Sequence, residues 1–364
     1  MKTKKLKKTT RQDFVTYGLV IIAFALMFVL KASGSLSRSL SGQLIPICCY
    51  MSMAVSLNLT VGILGELSLG HAGFMSVGAF SGVVAAMSLQ NVIPSDPLRL
   101  AISMIAGALV AAVAGLIVGT PVLRLRGDYL AIVTLAFGEI IKDLVNCLLV
   151  GYDSTGLHIA FNMTGNKTMD DLGMAADGIA IIKGAQGATG TKTIATFLAG
   201  FLLVMITLII VLNLMRSRSG RAIMALRDNR IAAESIGINI TKYKLMAFVT
   251  SAALAGAAGA LYGLNFSSLQ ATKFNFNTSI LILVFVVLGG LGNIRGSLIA
   301  AALLTVLPEL LRAFSDYRML VYAIVLILVM LTTNNPTLKS YTARLNLKNL
   351  KLRKAKKAAG KEVD

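Results

Sequence analysis

The chain holds 364 residues, 56% of them hydrophobic and only 14% charged, with a net charge of +19. That apolar content exceeds what a water-soluble domain needs, and several apolar runs exceed the ~18 residues that mark a membrane-spanning helix. The basic residues gather at the two ends and in connecting loops, a pattern that fits a bilayer surface carrying anionic lipid and excludes a nucleic-acid partner.

Residues 1–13 form a Lys-rich amino-terminal stretch, and an apolar run over 14–30 follows it. In outline this mimics a signal peptide. The run is long, however, and Leu36-Ser-Arg-Ser39 offers no small-x-small cleavage site, so 14–30 reads as an uncleaved first span. Further apolar segments cover 43–61, 70–89, 98–119, 129–150, 194–214, 245–263, 279–292, 296–311 and 318–333. The expectation is an all-α polytopic membrane protein with eight to ten crossings. Residues 14–335 form its transmembrane domain and 336–364 a basic tail. The segments 279–292 and 296–311 are short enough to be half-spans or broken helices, which persist only where protein or a water-filled cavity covers their ends. Cys48, Cys49 and Cys147 lie in apolar runs with no disulfide or zinc spacing, so buried free thiols are expected.

The first informative stretch runs from Asn58 to Gly78. It interrupts an apolar region with five glycines, Glu66, Ser68 and His71. Glycines free the backbone and let helices approach closely. A Glu or His at membrane depth is costly and faces a cavity or a partner. The alternative is a short surface turn in which Glu66 is simply wet. The second stretch is Arg124-Leu-Arg-Gly-Asp128-Tyr-Leu-Ala-Ile-Val-Thr134-Leu-Ala-Phe-Gly138-Glu139. Asp128 is placed to cap the helix that follows. Glu139 sits inside the apolar segment, beside the face that carries Thr134 and Gly138. The connection 151–193 is polar and Gly-rich. At some forty residues it is long for a connector, and loops of that length are functional or disordered.

The third stretch is Arg216–Lys244. It carries seven Lys and Arg residues, opposed only by Asp228 and Glu234, between two apolar segments. A basic loop in that position belongs on the cytoplasmic side. Asp228 or Asn229 can cap a short helix, and Gly237 suits its stop. Ala232 and Ile236 share one face, as do Ala233 and Gly237, and Arg230 and Glu234 are spaced as a pair. From spacing alone this is either a docking helix with a small-residue face or a solvated loop that only sets topology. The fourth stretch, Leu288-Gly289-Gly290-Leu-Gly292-Asn293-Ile-Arg295-Gly296-Ser297, permits a tight reversal near the membrane. It is not a phosphate loop, because no Gly-Lys-Ser/Thr follows.

These four stretches, in this order, resemble the branched-chain amino acid permeases of the LivM type, over roughly residues 50–335. Ile231-Ala-Ala-Glu-Ser-Ile-Gly237 is similar to the Glu-Ala-Ala loop of ABC importer permeases, without the order that gives the loop its name. The resemblance implies that Arg227, Asp228, Arg230, Ala232, Ala233, Glu234 and Gly237 belong to a loop that docks into a cleft on a cytoplasmic ATPase. It places Glu66, Ser68, His71, Thr134, Glu139, Gly289, Gly290 and Gly292 along the translocation path. It also implies a LivH-like permease partner, two ATPase subunits and an extracytoplasmic binding protein. The chain departs from the family after the second stretch, where Ser154-Thr-Gly156-Leu-His-Ile replaces a Thr-Gly-Gly-rich motif.

With the amino terminus inside, 25 of the 35 Lys and Arg residues fall on the cytoplasmic side and nine outside, which supports N-in and C-in. The expected location is a bacterial cytoplasmic membrane. The sequence has no catalytic constellation, metal site, cofactor motif or Walker motif, so any ATP hydrolysis belongs to another chain. Two functions from different classes remain. One is an ABC importer permease for branched-chain or related hydrophobic amino acids, with urea, amides or sugars as alternative substrates. The other is a stand-alone ion-coupled transporter, which needs no docking helix.

Overall fold

The computed structural model describes residues 2–34, 37–125, 127–153, 156–162, 173, 178–311 and scattered positions from 317 to 331, with side chains from residue 14 onward. The basic amino-terminal stretch and the first apolar run form one helix, α1 (Lys2–Ala32). Helix α2 (Arg38–Asn58) starts at Ser37, whose hydroxyl accepts from the Leu40 amide. It continues into a single π-helical stretch, Leu59–Leu64, and stops at Gly65 with φ of 81°. Helices α3 (His71–Ser88), α4 (Asp96–Val122) and α5 (Asp128–Asn146) follow. After an extended region come α6 (Phe197–Arg216), α7 (Arg218–Asp228), α8 (Arg230–Ser235) and α9 (Ile240–Gly263). Helices α10 (Phe276–Gly289) and α11 (Ile294–Leu310) complete the described helices.

Among the described residues, six helical stretches are long and apolar enough to cross a membrane. They lie in α1, α2 with its π-helical extension, α3, α4, α6 and α9. Helix α10 is apolar but has only 14 residues, and α11 has 17. The two short segments read from the sequence are therefore two short helices joined by a glycine reversal. The chain is an all-α, multi-pass membrane protein. Most of the tenth apolar segment, 318–333, and all of the tail 336–364 lie outside the described residues. Residues from Leu307 onward belong to a second, separate unit.

Two boundaries differ from the sequence reading. The segment 129–150 stays helical only to Asn146, and from Leu148 the chain is extended. The described part of the long connection is built around a small antiparallel sheet. Its order is β2 (Gly156–Phe161), β1 (Leu148–Asp153), β3 (Ile179–Lys183), β4 (Ala188–Thr189), β5 (Ser268–Leu269). The local cause is legible afterwards: Leu157-His-Ile-Ala-Phe161 alternates with period two, and its apolar residues point away from the chain. Gly184 and Gly187, at φ of 58° and 72°, turn β3 back toward β4.

Two kinds of packing hold the helices. Helices α3, α4 and α9 meet through small residues. A Cβ on Gly78 would overlap the Gly256 backbone, one on Gly259 would overlap the Met75 carbonyl, and one on Gly115 would lie 2.7 Å from the Ala252 methyl. Lipid tails are as apolar as leucine, so such close backbone contact, rather than hydrophobic burial, drives helix association in a bilayer. Helices α1, α2, α6 and α11 instead meet through larger apolar side chains, among them Val20, Phe197, Val204, Leu208 and Leu298. Phe24 stacks on Phe201 with ring centroids 4.1 Å apart.

Candidate functional site

The π-helical end of α2 gathers several of the polar contacts that tie distant parts of the chain together. A helix leaves its last carbonyls without intrahelical partners. Here the Glu66 amide takes the Thr60 carbonyl at 3.1 Å, which closes the turn. The Gly62 carbonyl receives a different donor, Nη1 of Arg227, at 3.1 Å. Arg227 is the penultimate residue of α7, 165 positions along the chain. Its guanidinium is aimed by Asp228, whose Oδ1 accepts from Nε at 3.2 Å and Nη2 at 3.0 Å. The stem of Arg227 lies along Gly65, where a Cβ would come within 2.7 Å of its Cγ.

Just beyond the π-helix, Glu66 forms an ion pair with Lys244 from the first turns of α9. The Lys244 side chain is 5% exposed, so the pair is largely out of water. The alternative in which Glu66 is simply wet is thereby removed. The glycine reversal between α10 and α11 closes the other side. Asn58, fully buried, accepts from the Gly292 amide at 2.8 Å and donates to Ser297 Oγ at 2.8 Å. A Cβ on Gly62 would run into both Asn58 Oδ1 and the Gly292 amide. Gly290 and Gly292 have φ of 94° and 77°, and Gly289 is pressed against the backbone of Ser297. Gly62, Glu66, Arg227, Lys244, Asn58 and Gly292 thus form one connected site.

The other predicted path residues form a second group deeper in the helices. His71 Nε2 is 2.8 Å from Ser56 Oγ, and the Ala72 amide donates to Ser279 Oγ at 3.1 Å. Thr134 Oγ1 accepts from the Leu69 amide at 3.0 Å and donates to the Ala131 carbonyl at 2.9 Å. Gly70 sits on the Thr134 carbonyl, and a Cβ on Gly73 would lie 2.9 Å from the Gly138 Cα. Ser68 is buried, and its hydroxyl has no partner among the described residues. Glu139 stands apart from both groups. It pairs with Lys142 on its own helix and accepts from the Phe276 amide at 2.9 Å. Phe276 is the first residue of α10, so Glu139 places negative charge at the positive end of that helix.

The segment α7–α8 corrects one expectation. The Arg227 side chain is 41% exposed and pairs with Asp228, and it also donates to the Gly62 carbonyl. Ala233 was read as part of an exposed docking face, but it is buried against its own chain. The cause is Asn229. Its extended backbone, at φ of −156°, separates α7 from α8, and its Oδ1 caps α8 by accepting from the Ala232 amide at 3.0 Å. That break turns the Ala233 position inward. Gly237, at φ of 84°, stops α8 as its composition suggested, and the Gly237 amide donates to the Glu234 carbonyl at 3.0 Å. Ala232, Glu234 and Gly237 stay exposed.

Sequence reasoning overlooked the part played by five residues here. Ile231 and Ile236 are 81% and 75% exposed, large apolar side chains on a polar surface segment. Their hydrophobicity in a basic loop was the available signal. Asn58 and Ser297 were visible only as parts of motifs. Lys244 was counted as a topology charge and not as a partner.

The chain matches a family model described as the permease component of branched-chain amino acid transport systems, over residues 39–330. It is 34% identical to the high-affinity branched-chain amino acid transport permease LivM of Salmonella typhimurium, over 94% of this chain and 78% of that protein. Similarity to BraD of Pseudomonas aeruginosa is 27% identity over 71% of this chain and 80% of the relative. LivH of Salmonella typhimurium is 34% identical over a shorter region, 32% of this chain and 38% of that protein. No solved structure matches it.

Proposed function

Because the chain belongs to the branched-chain amino acid transport permease family, we propose that it moves leucine, isoleucine, valine or related hydrophobic amino acids inward as one half of a paired permease. It is the membrane permease subunit of an ABC importer, and it is not itself the ATPase. Its partners in this reading are a second permease of LivH type, two cytoplasmic ABC ATPases and an extracytoplasmic binding protein that delivers substrate.

The observation that carries the docking part of this reading is α8. It is a short capped helix in a strongly basic connection between two apolar spans, and Ile231 and Ile236 stand out from it. Two uncovered isoleucines flanked by cations suit a cleft with an apolar floor and an acidic rim. A transporter that worked alone would gain nothing from such a segment.

The sidedness follows the same reading. Strand β5, which comes after α9, pairs with β4, which comes before α6, so both connections share one side. Arg227, the end of the π-helix and the α10–α11 reversal meet at the other end of the helices. With α8 toward the ATPase, the sheet faces outward, toward the binding protein, and residues 1–12 lie inside. The test is reconstitution of the four kinds of subunit in lipid vesicles, with binding protein and labelled leucine outside and ATP inside. ATP-dependent leucine accumulation is expected, and it should vanish when this chain is left out. Accumulation without ATP, driven by an ion gradient, would overturn the reading.

A further inference from the structure

We propose that Arg227 and Lys244 act as a two-point clamp that makes the π-helical end of α2 move with the α8 segment, so that displacement of α8 reaches the interior of the permease through Gly62 and Glu66. The proposal rests on the docking reading of α8, and it concerns what lies behind that surface. The two cations flank α8 in sequence, one at the end of α7 and one at the start of α9. Both reach the same five residues. Arg227 holds the Gly62 carbonyl at 3.1 Å, and Lys244 holds the Glu66 carboxylate.

The contacts are directional. An arginine at the end of a helix meets carbonyls that have lost their own partners and the negative end of the helix dipole. Asp228 fixes the plane of the guanidinium, so its Nη1 is committed to Gly62. The Arg227 stem on Gly65 leaves no room for a side chain there, and this excludes a looser fit. Beyond Gly62 the path continues without a gap. Gly62 lies against Gly292, Asn58 joins Gly292 to Ser297, and Ser297 is in α11. Six residues upstream of Gly62, the Ser56 carbonyl accepts from Ser251 of α9, and Ser56 Oγ meets His71. The π-helical stretch is the hinge: its wider hydrogen-bonding ring marks a place where the helix departs from regular geometry, as at many functional sites.

The test uses the whole complex, with Arg227→Met in this chain. Methionine keeps an unbranched stem to lie on Gly65 but cannot donate to the Gly62 carbonyl. The expected result is native retention of the ATPase on purification, continued basal ATP hydrolysis, and at least a tenfold loss of leucine uptake. Arg227→Lys, which keeps the charge but cannot serve Asp228 and Gly62 together, should recover part of the uptake. It also answers the question if the methionine variant fails to accumulate. The charge-reversed pair Glu66→Lys with Lys244→Glu should transport better than Lys244→Glu alone. Uptake within twofold of native in Arg227→Met would overturn the clamp, and in Arg227→Lys too if that variant alone accumulates. Parallel loss of ATPase retention and uptake would also overturn it, because Arg227 would then be a docking contact. Failure of the docking reading itself is separate, since it would leave ATPase retention unchanged when Ile231 and Ile236 are truncated.

Discussion

Truncating Ile231 and Ile236 together to alanine removes apolar surface that has no evident use within the chain. Each change deletes three side-chain carbons, worth about 0.8 kcal/mol apiece when buried. The residues are 81% and 75% exposed, so nearly all of that burial would occur only on docking. About 1.8 kcal/mol per residue is the upper range. Allowing for incomplete enclosure in the cleft, the pair contributes about 2–3.6 kcal/mol to the complex. At 1.4 kcal/mol per tenfold, ATPase affinity should fall by about 30- to 400-fold. The folded permease should be indifferent, because exposed substitutions usually change stability by less than about 0.5 kcal/mol. The assay is titration of the purified permease pair in detergent with the ATPase subunit, together with a melting curve of the permease alone. An affinity within threefold of native, with an unchanged melting curve, would refute the assignment of α8 as the docking surface.

Gly70→Val should lower the melting temperature, because its side chain meets the Thr134 carbonyl, and overpacking of that kind costs about 1–3 kcal/mol; a native melting curve would mean that the α3–α5 contact yields freely. Asn58→Leu removes two hydrogen bonds of about 1 kcal/mol each and should destabilise by about 2 kcal/mol; equal stability would detach the α10–α11 reversal from α2. Glu139→Ala strips the start of α10 of its carboxylate, worth about 0.3–1 kcal/mol. It should lower uptake more than Glu139→Gln, which still accepts from Phe276, while subunit assembly persists; native uptake in both would leave Glu139 without a role. In a Cys147→Ser background, an impermeant thiol reagent on intact cells should label Leu157→Cys and Lys273→Cys but not Ile231→Cys, and the reverse pattern would invert the topology.

The spans were legible because a bilayer imposes length and apolarity on every crossing helix, and those are properties of composition. The helix stop at Gly237 and the capping role of the 228–229 pair were legible for the same local reason. Pair contacts across the chain were not. Glu66 and Lys244 are 178 positions apart, and nothing in either neighbourhood marks the other as its partner. The contact of Arg227 with Gly62, 165 positions away, has no local signal either, because an exposed arginine is ordinary in a basic loop. The sheet was missed because β5 is two residues long and lies beyond α9, so no local pattern announces it. The strand alternation over 157–161 was readable but was outweighed by the glycines and polar residues around it.

The two kinds of packing have different mechanical consequences. Where Gly78 lies on Gly256 and Gly259 on Met75, the backbones touch so closely that a side chain on either glycine would overlap the other helix. Such an interface leaves no room for side chains between the helices. The end of α2 is held by a guanidinium on a carbonyl, an ion pair and the two hydrogen bonds of Asn58. Each of those contacts is a polar pairing rather than a contact of backbones, so it can lengthen and re-form without atoms colliding, although the largely buried Glu66–Lys244 pair and Asn58 are costly to leave unpaired. The chain therefore sets polar contacts where the α7–α9 connection meets the helices and close-packed glycine contacts along α3, α4 and α9. A displacement applied at α8 finds its least costly outlet in the 62–66 turn and the α10–α11 reversal. The first contains Gly65 and the second Gly290 and Gly292 at positive φ, so the backbone at those points leaves the helical geometry on either side.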